Sequence, residues 1–262
     1  MKRRELIVAG AVLLPLAGRA QVVDLNDAIN KAGRQRMLSQ RMAKSYCAAG
    51  QGVLPEMASE TLAASMALFD RQLVELKVFA PTAEIKRSYV DLESAWGDYK
   101  AVLVGSRPSR DKAGDMITQA GRVLQLAHQG TGLLERNSGK PLGKLVNVAG
   151  RQRMLSQRMA AFYLSASWGV EASQATQELN KARDEFVAAQ QLLSSAPEAT
   201  PSIKAELLQA DQQFVFFAAA LRGLRPGQPD ARAMANVFTT SERILQVMDG
   251  VTGMYSKQGQ SV

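Results

Sequence analysis

The chain has 262 residues, a formal charge of +8, 46% hydrophobic residues, one cysteine and one histidine. With Cys47 alone there is no intramolecular disulfide and no four-cysteine metal site. With His128 as the single histidine, zinc-hydrolase, Cys-His and Ser-His-Asp chemistries lose their residues.

Residues 1–20 read as a secretory signal, with Lys2, Arg3 and Arg4, an apolar run from Leu6 to Leu16, and a small-x-small end at Gly18-Arg19-Ala20. The apolar run is short for a membrane span. Arg3-Arg4 keeps a twin-arginine route open, and an uncleaved anchor is the competing reading. Loss of these residues removes four positive charges and Glu5, so +8 becomes +5. The expected product is a periplasmic chain cleaved near Ala20.

Ala, Gln, Leu, Met and Arg are plentiful, and Gly and Pro cluster between periodic segments, which predicts an all-α protein. A first helix is expected from Asp24 to Ala49, capped by Asp24 or Asn26 and stopped at Gly50-Gln-Gly52. A second begins after Pro55, carries Leu62, Met66, Phe69, Leu73 and Leu76 at helical spacing, and ends before Pro81. A third spans 82–104, with Ile85, Tyr89, Leu92, Trp96 and Leu103 as its stripe. After the break at Gly105 to Pro108, a fourth spans 110–136. The pattern then recurs at 141–168, 171–195, 201–222 and 230–257, with Asn137 to Pro141 as the boundary.

The recurrence is a duplication. Residues 32–43 and 149–160 both read AGRQRMLSQRMA, an offset of 117. Asn30 and Asn147, Tyr46 and Tyr163, and Phe69 and Phe186 share that offset. Trp96 aligns with Phe214 at 118, and Arg122-Val-Leu124 with Arg243-Ile-Leu245 at 121. The expected domains are 21–137 and 138–262, each an up-down four-helix bundle, packed together as a pseudo-twofold pair.

The string INKAGRQRMLSQRMAKSY at 29–46 resembles the N-terminal signature of the type IV pili methyl-accepting chemotaxis transducer domain, the PilJ-type sensor domain. It is more distantly similar to the periplasmic sensor of nitrate/nitrite sensor kinases. In those sensors an Arg of a related AG-x-x-R pattern from each of two subunits holds one nitrate. Carried over, that pattern is Gly33 to Arg36 and Gly150 to Arg153, so the resemblance implies that one tandem chain does what those sensors do as a dimer. The neighbouring Arg34 and Arg151 depart from the pattern and leave open a larger or more highly charged anion.

The residues point the same way. On a helix, Ile29, Gly33, Arg36, Gln40, Ala43 and Cys47 share one face, as do Val146, Gly150, Arg153, Gln157, Ala160 and Leu164. A lone guanidinium in a seam of small residues needs a partner. No Asp or Glu occurs between Asp27 and Glu56 or between Glu135 and Glu171. If the two faces meet, Arg36 and Arg153 converge, and a small planar oxyanion such as nitrate or nitrite accepts a fork of donors from each side. Gly33, Arg36, Gln40, Gly150, Arg153 and Gln157 are therefore the candidate ligand site, with Arg34 and Arg151 as secondary contacts.

The plainer alternative pairs the two arginines with Glu75, Glu93, Glu185 or Glu206, leaves Arg34, Arg41 and Lys44 on a solvated flank, and makes His128 a surface residue. The Met residues, Trp96, Tyr99 and Trp168 read as core. Nucleic acid is disfavoured by export and modest charge. The expected function is a non-enzymatic, cofactor-free oxyanion sensor reporting to a membrane-bound signalling or transport protein. The alternative is a protein–protein module related to pilus receptors, in which the same arginines face outward onto acidic side chains.

Overall fold

A computed structural model describes residues 21–258. The expected signal segment lies outside the described residues. Eight helices follow in order: α1 (Leu25–Gly50), α2 (Pro55–Phe79), α3 (Ala83–Val104), α4 (Arg110–Ser138), α5 (Pro141–Ser167), α6 (Ala172–Ser195), α7 (Pro201–Leu221) and α8 (Ala231–Gln258). None is long and apolar enough to cross a membrane.

The same local chemistry starts and stops the helices of each copy. Asp24 caps α1 by accepting from the Asp27 N–H at 2.8 Å. Thr82 and Thr200, at equivalent positions, accept from Ile85 and Ile203 at the starts of α3 and α7. After α1 and after α5 the chain makes the same turn. Gly52 and Gly169 take φ of 68° and 72°, Val53 and Val170 are buried, and Leu54 and Glu171 follow at φ 45° and 46°. Left-handed backbone is costly for a residue with a Cβ. The buried valine explains its retention, because it anchors the turn and its N–H closes back on Ala48 or Ser165.

Helices α1 to α4 form one up-down four-helix bundle and α5 to α8 a second, with α1 packed on α5 across the molecule. The aromatic pair in each core obeys the duplication: Phe69 lies 4.3 Å from Trp96 and Phe186 lies 4.5 Å from Phe214, centroid to centroid. Helices α1 and α5 run side by side in the same direction. Gly33 faces Gly150 near one end, and Gly50 meets Trp168 near the other. Each also touches the last helix of the opposite copy, so α1, α4, α5 and α8 surround the pseudo-twofold axis.

This placement explains why one block stayed identical. Between Ala28 and Ala48, α1 is buried almost all the way round, polar residues included. Several of the polar side chains donate to backbone carbonyls. The Gln35 and Gln152 amides donate to the carbonyls of Phe69 and Phe186, and the Ser39 and Ser156 hydroxyls to those of Arg36 and Arg153. A buried polar group without such a partner costs about 1–3 kcal/mol, so few alternatives are tolerated at these positions.

Candidate functional site

The seam between α1 and α5 is closest at Gly33 and Gly150. A Cβ built on Gly33 lies 3.7 Å from the Gly150 Cα, and the reverse distance is also 3.7 Å. The same Gly33 Cβ would meet Arg36 Nη2 at 3.2 Å and Arg153 Nη2 at 3.5 Å, with the mirror-image distances at Gly150. Two guanidinium tips thus converge over a pair of glycines that leave them room. Both side chains have 0% exposure.

Each arginine reaches across the axis. Arg36 Nη2 donates to the Asn147 carbonyl at 3.1 Å and Arg153 Nη2 to the equivalent Asn30 carbonyl at 3.0 Å. Neither Nε has a hydrogen-bond partner. Burial, followed by the charges of Arg151 and Arg153, draws the Arg36 pKa down to about 9. Burial and then Arg34 lower Arg153 to about 10, against the pull of Asp249. Both groups are charged at neutral pH.

Here the two halves part. Arg153 Nη1 donates to the Asp249 carboxylate, which also takes Arg34 Nη2 at 2.8 Å. Arg36 Nη1 meets the Nδ1 of His128 at 3.2 Å, with the imidazole open to solvent on its other side. Among the described residues, no carboxylate oxygen lies within 4.0 Å of the Arg36 guanidinium.

Most other cations of the duplicated helices are paired from within, which corrects the expectation that carboxylate-free helices require an external anion throughout. Glu242 on α8 accepts from Arg41 and Lys44, Glu185 and Glu178 on α6 accept from Arg151 and Arg158, and Glu75 pairs with Lys31. Arg34, Arg41 and Lys44 are not a solvated flank. Lys44 is wholly buried, with its ammonium 4.1 Å from the Phe238 ring centroid. Of the carboxylates expected to serve Arg36 and Arg153, Glu75 and Glu185 take Lys31 and Arg151, and Glu93 takes Lys77.

The remaining expected site residues, Gln40 and Gln157, lie one turn along the seam. Their amides donate to the Ala120 and Ser241 carbonyls on α4 and α8 at 3.4 and 3.0 Å, which fixes those helices beside the arginines. Sequence reasoning missed Asp249, Glu242 and His128 as neighbours of the site. The available signal was the 121 offset, which aligns His128 with Asp249 and Gly121 with Glu242. Trp168, expected in the core, is half-buried and covers the end of α1 at Gly50.

The family model for the type IV pili methyl-accepting chemotaxis transducer N-terminal domain matches residues 20–130 and again 137–215. No curated protein and no solved structure matches the chain. The two matched stretches cover more than half of the sequence, and each contains one of the two arginine helices that meet at the axis. The chain therefore belongs to the type IV pili methyl-accepting chemotaxis transducer N-terminal family and carries that domain in two tandem copies.

Proposed function

We propose that this sensory, chemotaxis-transducer-like chain is a periplasmic binding module that captures a small oxyanion, nitrate or nitrite, at the α1–α5 seam. Occupancy is reported to a membrane-bound signalling or transport protein, without catalysis. One observation carries the reading: two fully buried guanidinium groups converge over Gly33 and Gly150, and one of them, Arg36, has no carboxylate in direct contact, Glu135 acting on it only from beyond ion-pair distance. A buried cation left in that state is costly, and an anion with several acceptor oxygens relieves it. Arg36 and Arg153 are the principal donors, Gly33 and Gly150 make room for them, and Gln40 and Gln157 hold the surrounding helices. Arg34 and Arg151 set the surrounding charge.

The competing reading, a docking module for a pilin or receptor peptide, requires the two arginines to face outward. Their complete burial favours the anion.

The test is calorimetric titration of residues 21–262 with nitrate, nitrite, sulfate and chloride, beside Arg36→Ala and Arg153→Ala. Charge-assisted hydrogen bonds contribute about 1.5–3 kcal/mol each, so either substitution is expected to weaken binding by roughly 10- to 100-fold. Absence of heat with every anion, from protein shown to be folded, would sink the reading. Binding that survives both substitutions would place the anion elsewhere.

A further inference from the structure

The pseudo-symmetry of the seam supplies a template for its own ligand. In one half, the Asp249 carboxylate on α8 is gripped by two arginines from different helices, Arg153 of α5 and Arg34 of α1. Adding the offset of 117 to Arg36 and Arg34 gives Arg153 and Arg151, and adding 121 to His128 gives Asp249. The other half therefore presents Arg36 of α1 and Arg151 of α5 to an imidazole where its twin presents them to a carboxylate.

The surroundings differ in the same sense. On the Asp249 side a cleft of about 350 Å³ is lined by Arg34 and Arg41 together with Glu242 and Asp249, so α8 supplies its own negative charge. On the His128 side the equivalent cleft, about 290 Å³, is lined by Arg151, Arg158, Gln125 and His128, with Gly121 where the twin has Glu242, and by Glu178 and Glu185 of α6. Its carboxylates come from α6 rather than from the helix that carries His128, and they are committed. Glu185 accepts from Arg151 and Glu178 from Arg158, while Glu135 accepts from the Asn147 amide. His128 is thus faced by Arg36 from α1, Arg151 from α5, Glu185 from α6 and Glu135 from its own helix, and burial together with the two arginine charges lowers its pKa. It accepts from Arg36 as a neutral base, a weaker partner for a buried guanidinium than a carboxylate.

We propose that the chain binds one anion, in this half of the seam only, where Arg36 and Arg151 hold it in the position that Asp249 occupies in the twin. The inference rests on the oxyanion reading and moves its second donor from Arg153, which Asp249 already holds, to Arg151, so Arg151→Ala is expected to weaken binding more than Arg153→Ala does. The ligand is monovalent and presents two oxygens in carboxylate-like geometry, as nitrate, nitrite or a short carboxylate does. It displaces the His128 Nδ1 from Arg36 and reaches the seam through the cleft beside His128. Asp249 is a tethered anion that closes the second half-site, so the duplicated chain offers one site rather than two.

The decisive variant is His128→Asp, which copies the arrangement the molecule already contains at Asp249. Residues 21–262 are titrated calorimetrically with sodium nitrate, sodium nitrite, sodium acetate and sodium sulfate at fixed ionic strength, as wild type, H128D and H128A, and each is melted without added ligand. The expected result is one binding event per wild-type chain and a higher melting temperature for H128D. H128D is expected to lose at least 100-fold in affinity, while H128A stays within a few-fold of wild type. The acetate, nitrate and nitrite arms identify the ligand class, and sulfate preferred over all three overturns the monovalent assignment. H128D that binds as wild type does overturns the half-site while leaving the oxyanion reading standing. H128D that melts lower than wild type overturns the claim that Arg36 lacks a direct carboxylate partner it could use. A wild type that binds none of the four anions overturns both readings.

Discussion

Lys44 sits in an ion pair that cuts both ways: burial draws its own pKa down to about 8, while its charge holds its partner ionised. Its ammonium is fully buried, donates to Ser241 Oγ at 3.0 Å and pairs with Glu242, which also holds Arg41. Burial works to raise the Glu242 carboxyl, but the Lys44 and Arg41 charges overcome it and hold its pKa at about 2, against an ordinary 4.5. A depressed carboxylate contributes stability that is complete above its unfolded pKa and is lost as pH falls through its folded one. Stability should therefore fall between pH 4.5 and 2, with on the order of 3 kcal/mol coming from Glu242. Asp249, drawn to about 2 by Arg153 and Arg34 against the effect of burial, adds to the same acid window. Glu242→Gln removes one partner of a buried pair and should cost roughly 3–5 kcal/mol at pH 7 in urea melts, with a shallower acid slope. An unchanged midpoint would show that Lys44 is neutralised by another route. Neither Lys44 nor Glu242 was legible as half of a pair, because the pairing joins helices some 200 positions apart in the chain and sequence periodicity reports only one helix at a time.

The helices themselves were legible almost to the residue. Pro55, Pro141 and Pro201 open helices where expected, Thr82 and Thr200 cap them, and observed ends differ from the expected ones by one or two positions. The largest difference is at α4, which continues to Ser138 before Gly139 turns it at φ 59°. What the helical pattern could not show was that α1 and α5 are enclosed on every side. The expected stripe of Gly33, Arg36 and Gln40 is buried, but so are Lys31, Gln35, Ser39 and Ser45 on other faces. A polar helix ordinarily reads as solvated; here the Phe69 carbonyl takes Gln35, Glu75 takes Lys31, and Ser39 bonds within its own helix, which lets those faces be buried. The ends of the two central helices are fixed together by Trp168, whose ring would lie 2.2 Å from a Cβ at Gly50. Gly50→Ala should force that ring away and lower stability by about 1–3 kcal/mol, read as a lower melting temperature. Trp168→Leu combined with it should recover part of the loss, since the smaller side chain relieves the contact. Absence of any recovery would assign the loss to the turn rather than to the ring.

At the scale of the whole molecule, duplication has turned what could be a symmetric pair into one asymmetric body. The invariant block preserves the parts both copies need: Gly33 and Gly150 for close approach, Arg36 and Arg153 across the axis, and glutamine amides and serine hydroxyls that donate to carbonyls. The flanking helices have diverged, so α8 brings Asp249 and Glu242 where α4 brings His128 and Gly121. The convergence of the arginines was readable from the repeat together with its face. The internal carboxylates were not, because they lie in the diverged helices where the alignment offset has drifted from 117 to 121. The central claim is that an oxyanion completes this core. A ligand bound only by the folded state stabilises it by RT ln(1 + [L]/Kd), about 2.7 kcal/mol at a hundredfold excess over Kd. The direct measurement is the melting temperature of residues 21–262 against nitrate concentration, with chloride making up constant ionic strength. The account predicts a rise that grows with the logarithm of nitrate concentration and disappears in Arg36→Ala. A melting temperature that follows ionic strength alone, whatever the anion, would contradict it.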